Sequence, residues 1–174
     1  MIKFVRQGCM NKKNFQAGFT LIELLVVISV IGLLASIVLV ALNSARAKAR
    51  DAKRRSDIDQ ASSALAVYYD ANNAYPTTSG SWWGNCIGYG AHGTTGASGW
   101  IPNLAPTYIG QLPGDAIPPN TGKCYLYQSN GTDYKILAYL TVENCPVPTT
   151  DPLYDPARPG CVFARYSSSA SVDW

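Results

Sequence analysis

Apolar and polar residues are distributed unevenly along this chain. From Phe19 to Leu42 the sequence FTLIELLVVISVIGLLASIVLVAL runs for 24 residues with a single charge, Glu23. At ~1.5 Å per residue a helix of that length spans roughly 36 Å, enough to cross a hydrocarbon core of ~30 Å. The apolar stretch of a signal peptide is ~7–15 residues and ends at a small-residue cleavage site. This run is longer, and it leads into NSARAKAR, which reads as a charged stop. The pattern therefore predicts a membrane helix that stays in the protein.

Beyond Leu42 the periodicity changes but the helix signal continues. No Pro or Gly occurs from Ala35 to Tyr75. Ala45, Ala49, Ala52, Ile58, Ala61, Leu65, Tyr68 and Asn72 recur at three- and four-residue steps, the mark of one amphipathic helix face. Pro76 stops it. The pattern predicts one helix from Phe19 to Asn72, roughly 80 Å long. Its first half (19–42) lies in the membrane, and its second half (43–76, with the exit turn) presents an apolar stripe to a small domain. Residues 77–174 are dense in Gly and Pro and read as that domain, a β-rich head. Lys123–Gln128 and Tyr134–Val142 are strand candidates joined by the turn signal Ser129-Asn130-Gly131-Thr132. The expected fold class is α+β, a long N-terminal helix packed on a small antiparallel sheet.

Charge sharpens this division. The chain carries +3 overall, but residues 1–18 alone carry +4 from Lys3, Arg6, Lys12 and Lys13. The remainder is −1, and from Gln60 onward four basic residues face seven acidic ones. That distribution does not fit a uniformly basic nucleic-acid binder. Hydrophobic residues make up 47% of the chain and charged residues 14%, which disfavours disorder. Arg46, Lys48, Arg50, Lys53, Arg54 and Arg55 form a collar just past the apolar run, interleaved with Asp51, Asp57 and Asp59. A solvated or lipid-headgroup collar is the favoured role, with helical ion pairs, and DNA binding is the less favoured one. Basic residues flank the membrane span on both sides, so the positive-inside rule alone leaves the orientation in conflict.

The junction before the apolar run carries the most specific motif. Gly18-Phe19-Thr20-Leu21-Ile22-Glu23-Leu24-Leu25-Val26-Val27 follows a short basic stretch, MNKKNFQAG, that opens at Met10. These residues resemble the type IV pilin-like superfamily, which includes type IV pilins and type II secretion pseudopilins. The resemblance covers residues 10 to about 76. It implies that a prepilin peptidase removes a leader, residues 1–18, by cutting between Gly18 and Phe19, and that Phe19 is then N-methylated. Translation starting at Met10 is an alternative that removes Cys9 from the protein. The resemblance also implies a cytoplasmic N-terminus, an anchor in the inner membrane, and a head outside, in the periplasm or on the cell surface. The implied partners are the peptidase, other pilin or pseudopilin subunits and an inner-membrane assembly platform.

A carboxylate inside hydrocarbon is costly and by default marks function. The resemblance implies that Glu23 pairs with the free amine of a neighbouring subunit during filament assembly, where opposite charges offset each other's desolvation. The blander reading is that Glu23 sits near the interface and reaches water. Gly32-x-x-x-Ser36 is a small-xxx-small pattern that permits close helix approach in an assembly, although Gly is common in membrane helices anyway. The pilin proline in the later part of this segment is missing, so any melting of the helix on assembly falls to Gly32.

Without the leader, four cysteines remain, Cys86, Cys124, Cys145 and Cys161, which in an exported domain read as two disulfides. Three pairings are possible, and the expectation taken here is Cys86–Cys124 with Cys145–Cys161. A four-thiolate zinc site is disfavoured because no C-x-x-C knuckle occurs. Trp82, Trp83 and Trp100 lie in a Gly/Ser-rich loop and read as caps over a small sheet in preference to a sugar- or partner-binding platform. His92 is read as a loop residue. Asp115, Asp151 and Asp155 are oxygen ligands of the type that calcium takes, without EF-hand spacing, and turn initiation is the favoured role of the last two. No nucleophile elbow, P-loop, zincin or Rossmann fingerprint occurs, so no catalytic constellation and no firm cofactor are expected. The sequence thus predicts a structural pilin or pseudopilin subunit, not an enzyme. Its rivals are a membrane-anchored binding module using the tryptophan loop, and a DNA-uptake minor pilin using the basic collar.

Overall fold

The structure, a computed structural model, describes residues 18–115 and 122–174. The leader, including Met10 and Cys9, lies outside the described residues apart from Gly18. The chain divides into two compact units, residues 1–42 and residues 43–174. One helix, α1 (Leu21–Asn72), contributes to both.

In the first unit α1 begins two residues later than the pattern predicts, at Leu21. The reason is local. Thr20 and Glu23 close a reciprocal capping box: the Glu23 backbone N–H donates to Thr20 Oγ1 (3.2 Å) and the Thr20 backbone N–H donates to Glu23 Oε2 (3.1 Å). Thr20 is therefore the cap and not part of the helix. Beyond it the large apolar side chains from Leu21 to Leu42 are exposed on every side, so nothing within the unit buries them. The two serines satisfy themselves on the helix backbone, Ser29 Oγ on Leu25 O and Ser36 Oγ on Leu33 O, both at 2.7 Å. A helix apolar all round needs an apolar surrounding, and among the described residues α1 is the one helix long and apolar enough to cross a membrane.

In the second unit the remainder of α1 packs on an antiparallel meander of order β1-β2-β3-β4. The strands are β1 (Trp83–Gly84), β2 (Cys124–Ser129), β3 (Tyr134–Tyr139) and β4 (Phe163–Tyr166). This is an α+β fold. Helix α1 ends at Asn72 because Asn73 enters the left-handed region (φ 52°), before Pro76 is reached. The β2–β3 hairpin turns where the sequence places it. Asn130 Oδ1 accepts from the backbone N–H of Thr132 and Asp133, and Gly131 supplies the positive φ of 96°. Strand β3 stops at Tyr139, short of the predicted Val142, because Leu140 leaves the extended region (φ 55°).

Both faces of the sheet are covered. Tyr125, Tyr127, Ile136, Ala138 and Phe163 share a core with Ile58, Ala61, Ala64 and Leu65 of α1 and with Trp100, Ile101, Leu104 and Leu112 from the long loop. On the other face Cys124, Leu126, Leu137 and Ala164 pack with Cys86 and Val162, roofed by Trp82, Tyr89, Tyr139 and Tyr166. Two disulfides, Cys86–Cys124 and Cys145–Cys161, tie the tryptophan loop to β2 and close the proline-rich loop before β4.

Candidate functional site

Two groups of residues carry charge where charge is expensive. The first is the N-terminal junction. Gly18 and Phe19 precede the helix, exposed and outside regular structure. Four residues on, the Glu23 carboxylate is held by its own chain, because Thr20 Oγ1 donates to Oε2 at 2.8 Å. Both Thr20 contacts fall on Oε2, which leaves Oε1 as the oxygen able to accept from another chain. Gly32 has open space where a Cβ would stand, so its face accepts a close neighbour.

The second group is a charged network in the second unit, where the sequence reading needs correction. Ala45, Ala49 and Ala52, expected on the packed face, are exposed. The residues that turn inward are Asp51, Arg54 and Asp57. Arg54, expected in a solvated collar, is 2% exposed. Its guanidinium forms a two-pronged pair with Asp115 (Nε to Oδ2 2.6 Å, Nη2 to Oδ1 3.0 Å). Its Nη1 donates to Asp51 Oδ1 (2.8 Å) and Glu143 Oε1 (3.1 Å). Asp51 in turn accepts from the backbone N–H of Glu143 and Asn144 (3.0 and 2.9 Å) and from Asn144 Nδ2 (2.7 Å).

Burial opposes the Arg54 charge, but Asp115, Asp51 and Glu143 outweigh it and push the guanidinium above its ordinary value. Burial likewise pushes Asp51 up, and its backbone and side-chain donors overcome this and hold it below the ordinary carboxylate value. Arg50 pairs with both Glu143 oxygens at 2.5 Å, which lowers Glu143. Arg55 clamps Asp151 (2.8 and 2.5 Å) while lying 4.1 Å over the Phe163 ring, and it lowers that carboxylate. Asp57 accepts from the buried Tyr125 hydroxyl at 2.8 Å. Taken together, the collar is a clasp that fastens α1 to loops distant in sequence.

A third buried pair joins strand and tail. Lys135 Nζ, fully buried, donates to Asp155 Oδ1 (2.9 Å) and to the carbonyls of Val172 (2.5 Å) and Trp174 (3.3 Å). Burial lowers Lys135 from its ordinary value, and Asp155 works against that shift. The three aspartates considered for calcium are therefore far from one another in role, each held by a different basic side chain: Arg54, Arg55 or Lys135. Among the described residues no cluster of three metal-ligating side chains forms.

The tryptophans disperse as well. Trp100 is buried, with its indole N–H on Pro113 O (3.1 Å) and its ring stacked near Tyr125. Trp83 stacks on His92 at 4.0 Å, and Trp82 lies under Arg158. The three indole rings thus have separate partners within the second unit.

A long apolar helix, a capped carboxylate at its first turn and a disulfide-bonded α+β domain fit a membrane-anchored protein. The comparisons narrow it. Residues 13–39 match the model of the prokaryotic N-terminal methylation motif. The chain is 46% identical over 67 residues to the type II secretion system core protein G of Aeromonas hydrophila, covering 38% of this chain and 47% of that protein. It is 45% identical over 69 residues to the protein of the same name in Escherichia coli K12, covering 40% and 48%. The Vibrio cholerae counterpart is 42% identical over 69 residues, covering 40% and 47%. The chain thus spans about half the length of the curated relatives it matches. No solved structure matches it. The chain thus carries the N-terminal methylation motif at residues 13–39 and is similar, over part of its length, to type II secretion system core proteins G.

Proposed function

We propose that this chain is a pseudopilin, a structural subunit of a type II secretion pseudopilus. Prepilin peptidase cuts between Gly18 and Phe19, the new amine of Phe19 is methylated, and the subunit assembles with others through the apolar half of α1. The observation that carries this reading is the junction itself: a Gly-Phe bond, a Thr20–Glu23 capping box and an exposed apolar helix, in that order, within the methylation motif. In the membrane the carboxylate needs a cation. The methylated amine of a neighbouring subunit supplies one, with Oε1 of Glu23 as its acceptor and Gly32 allowing the helices to approach. The N-terminus faces the cytoplasm, where the peptidase reaches the leader, and the disulfide-bonded domain lies outside. The relatives' shared name favours a pseudopilus over a pilus. No step in this role calls for a catalytic group or a cofactor in the described residues.

Mass spectrometry of the protein from membranes tests the processing. The expected mature N-terminus is N-methyl-Phe19, and an exported chain that retains residues 10–18 refutes it. Glu23→Ala is expected to insert normally but to abolish filaments seen by electron microscopy, so filaments of normal number and length from that variant refute the pairing.

A further inference from the structure

We propose that Arg46 and Lys48 form a binding ring for anionic phospholipid headgroups around α1, distinct in function from the rest of the basic segment. The proposal rests on the reading of residues 19–42 as a membrane span. Six basic residues lie between Arg46 and Arg55, but the structure sorts them into two sets. Arg50 pairs with Glu143, Lys53 with Asp57 (3.5 Å), Arg54 with Asp51, Asp115 and Glu143, and Arg55 with Asp151. Those four are neutralised by acids of the same unit. Arg46 and Lys48 are exposed, and no acid of the described residues pairs with them.

Position separates the same two sets. Arg46 and Lys48 stand four and six residues past Leu42, the last apolar position, so at ~1.5 Å per residue they lie roughly 6 and 9 Å beyond it. The headgroup layer is about 5–7 Å deep on each side of the hydrocarbon core, and long basic side chains reach back toward it. Lys53, roughly 16 Å beyond, is out of reach.

Geometry then selects the partner. At ~100° per residue Arg46 and Lys48 diverge by about 200°, so they face opposite sides of the helix. A groove of nucleic acid touches one side of a helix, whereas a bilayer surrounds it. Ala45, Ala47 and Ala49 alternate with the two cations and leave their long side chains unobstructed. Anionic lipids attract such membrane-proximal cations, about fivefold in affinity for each one.

The test uses the full-length chain in nanodiscs of equal phosphatidylglycerol and phosphatidylcholine with matched acyl chains, released for native mass spectrometry. The wild type is expected to retain phosphatidylglycerol several-fold over phosphatidylcholine. Arg46→Gln with Lys48→Gln should lower that ratio several-fold, while Lys53→Gln leaves it unchanged. Equal retention of the two lipids by the wild type, or a ratio unaltered in the double variant, overturns the proposal. Wild-type binding to duplex DNA at physiological salt that the double variant loses, without lipid preference, also overturns it and assigns the pair to nucleic acid. Alkaline carbonate extraction of native membranes reports on the underlying reading separately. Release of the chain there negates the membrane span itself, whereas a retained chain without lipid preference negates only the ring.

Discussion

Arg54 and Asp115, 61 residues apart in sequence, meet through two parallel hydrogen bonds of 2.6 and 3.0 Å, and the side chains of both are almost fully buried. A pair in that position fixes geometry more than it adds stability, because each charge lost its water to reach the other. Its removal from one side is a different matter.

Replacing Arg54 with Met removes the buried cation that Asp51, Asp115 and Glu143 share. The expected loss is about 3–5 kcal/mol. Lys53→Met, one residue away but with its side chain 61% exposed, should fall within about 0.5 kcal/mol of wild type. Urea unfolding of the full chain in detergent, followed by tryptophan fluorescence, measures both. Equal midpoints for the two variants would show that the clasp contributes nothing.

Stability should decline at both pH extremes, for different residues. Asp51, Glu143 and Asp151 have folded values below their ordinary ones, so on acidification the unfolded chain takes up protons first. Their stabilisation is complete above the ordinary carboxylate range of about 4 and drains away as pH falls through the lower folded values. Asp51→Asn is expected to be weaker at pH 7 and flatter on the acid side. At the other end, burial pushes the hydroxyls of Tyr125, Tyr127 and Tyr134 up. Their contribution is intact below about pH 10 and lost above it, since only the unfolded chain ionises there readily. The part of the tyrosinate absorbance that comes from these three should therefore rise together with the loss of near-ultraviolet circular dichroism. Full ionisation of a still-folded protein would contradict this.

Lys135 and Asp155 should behave as a unit. Asp155→Ala leaves the buried ammonium with the main-chain oxygens of Val172 and Trp174 and should cost about 3–5 kcal/mol. Lys135→Met combined with Asp155→Leu removes both charges and should recover most of that loss. A double-mutant cycle on unfolding free energies reads the coupling directly, and additive single losses would show that the two groups do not interact.

The Cys145–Cys161 bond closes a loop with a sequence separation of 16. Chain-entropy reasoning gives it about 3 kcal/mol, so Cys145→Ser with Cys161→Ser should lower the unfolding free energy by that order. The measurement is denaturant unfolding under non-reducing conditions, and an unchanged midpoint would sink the expectation.

Much of the fold was legible in the sequence because its signals are local. The apolar run, the helical spacing through Leu65, the Asn130-Gly131 turn and the flanking strand patterns all act within a few residues. The misreading of Ala45, Ala49 and Ala52 came from giving apolar character priority over geometry. The buried positions Asp51, Arg54, Ile58, Ala61 and Leu65 advance in steps of three and four, so the packed stripe runs straight back into the charged segment. That spacing was the available signal. It was obscured because a charged side chain on an inward face is credible only once its partners are known.

The sequence by itself determined that one long helix, apolar up to Leu42, runs on into the second unit, because that depends on hydrophobicity and on neighbours along the chain. Tertiary structure decided how Arg54 and Arg55 are held, because Asp115, Glu143 and Asp151 lie 61 to 96 residues away from them along the chain, whereas Lys53 has its acid, Asp57, one helical turn on. Charge is written into the sequence. Whether it stays charged toward water, lipid or another side chain depends on dielectric surroundings and distance, and these exist only once the chain has folded.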